Sequence, residues 1–256
     1  MNAQQVMLWR VALYFLLLFV CYGCYSHRPT KVPMDVVYDL AHDTSGESLL
    51  LVMLPGARDT PQDFVAQGFV QAVRARHLPV DVALPDLHMD YYLEQKVIGR
   101  LSADVIAPAR VQGYHRIWLM GISLGGLGSL VYAREHPAEI EGVILLAPFL
   151  GNRGLIAEVT AAGGLDRWRP GEIKEDDDER ALVTWLKNYR ADDGAQSKIY
   201  LGYGTEDRFA PASELLAARL PADQVAARPG GHDWATWNAL WNELLDRDPF
   251  SHPMLQ

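Results

Sequence analysis

Arg116-Ile-Trp-Leu-Met-Gly-Ile-Ser-Leu-Gly-Gly126 is the stretch that decides the architecture. Its first five residues form a short run of the kind buried on both faces of a parallel sheet, and Leu127, Leu130 and Val131 behind it fall at helical spacing. Between strand and helix lies a turn carrying Gly121, Ser123 and Gly125.

Working outward, strand-like apolar runs alternate with stretches of helical period. Upstream, Leu49 to Leu54 is a fully apolar run that stops at Pro55-Gly56. A helix is expected from Pro61 to about His77, then a strand over Val80 to Leu84 and a long helix from about Tyr92 to Arg110. Downstream, strands are expected over Gly142 to Ala147, Lys198 to Gly202 and Gln224 to Arg228, and a last helix from about Asp233 buries Trp237, Leu240, Trp241 and Leu244. This alternation predicts an α/β fold with a mostly parallel central sheet flanked by helices. It lapses between Pro148 and Lys198. A structureless loop of that length is uncommon in a compact domain, so about 150–197 is expected to be a small cap insertion containing a helix near Glu179 to Arg190.

The chain of 256 residues is 49% apolar and 21% charged, which fits one domain with a full core and excludes a disordered tail or a fibre. Lys and Arg number 23 against 32 Asp and Glu, a net charge of −9 with no basic block, so no nucleic-acid partner is expected. Cys21 and Cys24 are the only cysteines. Residues 31–256, the expected folded domain, therefore have no disulfide, thiolate nucleophile or cysteine zinc site.

Residues 1–30 read as a targeting or anchoring segment. Arg10 is the only charged side chain before an unbroken apolar run, Val11 to Val20. Gly23-Cys24 resembles the processing point of a bacterial lipoprotein signal, although Cys21 stands where such signals usually carry leucine. An uncleaved anchor and plain cleaved export are the other two readings, and the apolar run is short of the ~20 residues a span prefers. The segment predicts an exported, membrane-associated protein.

A serine hydroxyl is a poor nucleophile at neutral pH and needs a histidine base and an acid to orient it. His232, in Pro229-Gly-Gly-His-Asp-Trp234, follows the last expected strand in a loop able to present an imidazole above the sheet. Gly202-Tyr-Gly-Thr-Glu-Asp207 places Asp207 just past the preceding strand, with Glu206 next to it as an alternative. Ser123, Asp207 and His232 occur in the chain order serine, acid, histidine, and Gly121-Ile-Ser-Leu-Gly125 has the pattern of a nucleophile elbow.

With Leu54-Pro-Gly-Ala57 as a fourth motif, the chain from about Asp35 to Asp246 resembles the α/β-hydrolase superfamily, in particular its compact esterase and lipase-like members. The resemblance implies a serine hydrolase that cleaves a small-molecule carboxylic ester, or a thioester, through an acyl-enzyme and without a metal or organic cofactor. It also implies an oxyanion hole made by the backbone N–H groups of Ala57 and Leu124. Relatives often carry histidine where this chain has Pro55. An acyltransferase or peptidase on the same three residues, and a membrane-tethered binding module without turnover, are the alternatives.

Other features have simpler readings. Asp233 is expected to cap the last helix. The acidic run Glu172 to Arg180 lacks the spaced ligands of a calcium loop and reads as a solvated cap face that disfavours strongly anionic substrates. Trp168, Trp185 and Tyr189 read as core before acyl pocket. His88-Met-Asp-Tyr-Tyr92 follows a strand on the side where active sites gather and is a candidate for substrate contact.

Overall fold

The computed structural model describes residues 27–41, 49–174 and 177–251. Residues 1–26 of the expected signal or anchor, with Cys21 and Cys24, lie outside the described residues, as does part of the acidic run. No helix among the described residues is long and apolar enough to cross a membrane. Residues Lys31–Gln256 form one compact unit.

Seven strands form one sheet: β1 (Val36–Asp39), β2 (Leu49–Leu54), β3 (Val80–Pro85), β4 (Arg116–Ile122), β5 (Gly142–Leu146), β6 (Lys198–Gly204) and β7 (Val225–Arg228). Their order is β1-β3-β2-β4-β5-β6-β7. Every pair is parallel except β1 with β3, which is antiparallel at the edge. The alternation along β2 shows how both faces are covered. Leu50, Val52 and Leu54 face one apolar layer, and Leu49, Leu51 and Met53 face the other.

Helices α1 (Pro61–Ala66), α2 (Phe69–Ala75) and α10 (Trp234–Leu245) build the second layer, where Phe69 stacks on Trp241 at 5.9 Å and the Trp241 indole donates to the Phe69 carbonyl at 3.0 Å. The single helix expected from Pro61 to His77 is two helices because Gly68 turns the chain with φ of 81°. Likewise, the helix expected from Tyr92 to Arg110 is broken. Met89–Leu93 is α3, Gln95 takes φ of 55°, and the chain resumes as α4 (Val97–Leu101), a π-helical turn over Ser102–Ile106 and α5 (Ala107–Val111).

The first layer is completed by α6 (Leu124–Glu135) and by the insertion, which contains α7 (Arg153–Ala161) and α8 (Asp178–Asn188). The insertion is not a separate body. Leu155, Val159, Trp168, Leu182 and Leu186 are buried in the same apolar layer as the sheet, and Tyr189 joins them with its hydroxyl on the Ser197 carbonyl. Trp168 and Tyr189 are therefore core, as expected, and Trp185 packs against them half-buried. Helix α9 (Ala210–Ala217) follows β6 and closes this side.

Candidate active site

The carboxyl ends of β4, β6 and β7 carry the three candidate side chains to one place. β4 ends at Ile122, and Ser123 turns the chain into α6 with φ of 53° and ψ of −110°, a conformation that costs a non-glycine residue about 1–3 kcal/mol. Its carbonyl accepts the amides of Gly126 at 3.0 Å and Phe149 at 2.9 Å. The flanking glycines are steric requirements. A Cβ on Gly125 would stand 2.1 Å from the Leu54 carbonyl oxygen, and one on Gly121 would stand 2.2 Å from the carbonyl oxygen of Gly125. The strained serine is thus wedged between two backbones that only glycine lets approach.

His232 reaches the same point from the loop after β7. That loop lies against the turn after β6, where a Cβ on Gly204 would stand 2.2 Å from the Gly230 carbonyl oxygen. His232 Nε2 is 3.1 Å from Ser123 Oγ, and His232 Nδ1 is 2.7 Å from Asp207 Oδ2. Phe209 at 5.0 Å and Trp237 at 4.8 Å meet the imidazole in edge-to-face contacts on their own centroids, fixing its plane. Asp207 is buried, and its second oxygen accepts the Phe209 amide at 2.8 Å. Glu206, the neighbouring alternative, is exposed and is placed by its amide on the Gly230 carbonyl.

Ala57 and Leu124 border the same cavity as Ser123, a space of about 680 Å³. Leu124 is the first residue of α6, so its amide has no intrahelical acceptor. Asp59 was not legible as a site residue. Its carboxylate is bonded by the Gly56 backbone and bends back over Gly56, on which a Cβ would come 2.3 Å from Asp59 Oδ2. Burial, with Asp63 beside it, pushes the Asp59 carboxyl up, against the Gly56 bond and the attraction of His232. It holds the turn that presents Ala57.

The rest of the cavity is largely apolar, with Leu127 and Val131 of α6, Ile98 of α4 and Phe149 among its walls. Within the stretch His88 to Tyr92, Met89 and Tyr92 line it. His88 is instead buried, caps α3 by accepting the Asp90 amide at 3.3 Å and packs on Tyr91. Tyr92 leans on Gly128, where a Cβ would stand 2.5 Å from its hydroxyl, and burial pushes its phenol up. Asp233 caps α10 through the Thr236 amide, as expected. Among the described residues no group of three or more His, Cys, Asp or Glu side chains is placed to hold a metal ion.

A serine in line with a half-buried histidine and a buried aspartate, above the carboxyl edge of a mostly parallel sheet with helices on both faces, is the arrangement of an α/β hydrolase. Solved structures support the fold. A fluorophosphonate-binding serine hydrolase of Staphylococcus aureus, solved with substrate bound, superposes with a TM-score of 0.55 at 15% identity over 84% of this chain and 92% of that one. For S-formylglutathione hydrolase from Staphylococcus aureus the values are 0.54 and 14%, over 86% and 99%. For Est1E from Butyrivibrio proteoclasticus they are 0.53 and 18%, over 83% and 93%.

No curated protein matches the chain. The family model described as "Putative esterase" matches residues 88–247, well over half of the chain. The chain belongs to that esterase family and is a hydrolase of ester bonds.

Proposed function

We propose that the protein hydrolyses a carboxylic ester, or a thioester, through an acyl-enzyme on Ser123. The observation that carries this reading is the continuous line of hydrogen bonds from Ser123 Oγ through His232 to Asp207. His232 Nε2 takes the Ser123 hydroxyl proton as Oγ bonds to the substrate carbonyl carbon. Asp207 holds the Nδ1–H tautomer and offsets the positive charge that develops on the ring. The amides of Ala57 and Leu124 stabilise the oxyanion, each contributing about 3 kcal/mol in comparable sites. The tetrahedral species then collapses, the carbon–leaving group bond breaks and His232 returns the proton to the departing oxygen or sulfur. Water repeats the sequence on the acyl-enzyme, frees the acid and restores the Ser123 hydroxyl.

Labelling with a fluorophosphonate tests this directly. The wild type is expected to be labelled at Ser123, found by peptide mapping, and Ser123→Ala and His232→Ala to lose the label. Turnover of a soluble ester falls by on the order of 10⁶ in Ser123→Ala, by analogy with removal of the nucleophile in other serine hydrolases. An unlabelled, folded wild type would overturn the reading in favour of a hydrolase fold used for binding.

The apolar segment Val11 to Val20, followed by Gly23-Cys24, supports a second part of the proposal. The enzyme is exported and held at a membrane through a lipid on Cys24.

A further inference from the structure

Phe149 and Phe209 stand edge to face at 5.7 Å and form a wall shared by two cavities. One is the space that contains Ser123. The other, of about 860 Å³, is lined by Ile156 and Ala157 of α7 and by Pro211 and Ala212 of α9. Both volumes are within the range of about 300–1,000 Å³ that holds small organic ligands.

The acidic run, expected to disfavour anionic substrates, reaches the first space but not the second. Glu135, Asp178 and Glu179 border the first, whereas no carboxylate borders the second. Arg153 borders the second alone and Arg208 borders both, in a chain whose net charge is −9. Neither guanidinium forms an ion pair among the described residues. Arg208 lies 4.9 Å over the Phe209 ring, which holds its charge beside the wall.

Direction follows from the proton path. A leaving oxygen must collect its proton from His232 Nε2, so the leaving group stands on the side of the imidazole. Phe209 stands on that side, 5.0 Å from the imidazole centroid, in the wall beyond which the second cavity lies. The acyl group, bonded to Ser123, has the apolar space along α6.

We propose that the second cavity receives the leaving group, and that the preferred substrate is an ester whose alcohol or phenol is an apolar body carrying an oxyanion, a carboxylate or a phosphate. Arg153 and Arg208 hold that anion by charge-assisted hydrogen bonds. This assignment rests on the esterase reading of Ser123 given above.

Three butyrate esters test it: 2-naphthyl, 6-carboxy-2-naphthyl and 6-phosphonooxy-2-naphthyl butyrate, with the acyl group held constant. For the wild type, kcat/KM for at least one anionic ester is expected to exceed that of the neutral ester by about tenfold, chiefly through KM, and the larger ratio of the two identifies the head group. Arg153→Gln and Arg208→Gln each bring the ratio toward one, and added salt does the same because both cations are exposed at the rim. A ratio at or below one, or one unmoved by both substitutions, with Ser123 still labelled by fluorophosphonate, would overturn the inference and leave the esterase reading standing. Loss of labelling in the folded wild type would overturn both.

Discussion

Ser123 is held in a backbone conformation that its own side chain disfavours, and the cost is met by the packing of β4, α6 and the Leu54 turn around it. The strain belongs to the backbone, so it separates from the chemistry. Ser123→Ala keeps the strained φ and ψ, whereas Ser123→Gly removes the clash. Both variants are expected to lose turnover, with Ser123→Gly more stable than Ser123→Ala by about 1–2 kcal/mol, less whatever entropy the glycine frees in the unfolded chain. Urea denaturation of the two inactive variants measures this, and equal midpoints would show that the turn is not strained. The same locality explains what was legible. Ser123 and His232 each sit at a strand end beside glycines that the close approach of backbones demands, so a local signal marked each. The choice of Asp207 over Glu206 depends on the register of one turn, which spacing alone leaves open. Asp59, Arg153 and Arg208 carried no local signal, because what they touch comes from distant parts of the chain.

At the scale of elements, the insertion is tied together by one acidic side chain. Glu158 of α7 accepts two hydrogen bonds from Arg180 of α8, at 3.0 and 2.9 Å, and one from the Trp168 indole at 2.7 Å. Arg180 also lies 5.7 Å over the Trp168 ring. The bonds from Arg180 first, then the one from Trp168, hold the Glu158 carboxyl down at about 2, from an ordinary 4.5. A carboxyl whose folded pKa is depressed stabilises the fold above its unfolded pKa, and that contribution is lost as pH falls toward the folded value. The difference in urea midpoint between wild type and Glu158→Gln is therefore expected to be largest above pH 4.5 and to shrink progressively as pH approaches 2. A difference independent of pH would assign Glu158 a packing role only. The buried strands β2, β4, β5 and β6 were legible from their continuous apolar runs. β1 was not, because an edge strand with Val37 and Tyr38 exposed has no such run. α7 was also missed, since only Leu155, Ile156 and Val159 mark its buried face within a stretch that ends in alanine and glycine.

Over the whole molecule, the unit Lys31–Gln256 contains the sheet, both apolar layers and the candidate site, and both cysteines fall before it. The proposed tether and the proposed chemistry therefore occupy different parts of the chain and can be altered independently. If Cys24 carries the lipid, Cys24→Ala leaves kcat for a soluble ester within about twofold of wild type, because surface and linker changes away from a site seldom disturb it. The same substitution should move the protein out of the membrane fraction or stall its export. Fractionation with intact-mass analysis distinguishes the possibilities: a wild-type mass that begins at Cys24 and includes acyl chains supports lipidation, and one that retains residues 1–23 supports an uncleaved anchor. Membrane retention of Cys24→Ala equal to wild type would remove the lipid from the account while leaving the esterase reading untouched. A lipid-held enzyme would work beside the bilayer. Its substrate would then have to reach it from solution or neighbouring lipid, so wild type and Cys24→Ala are expected to differ on membrane-partitioned esters while remaining equal on soluble ones.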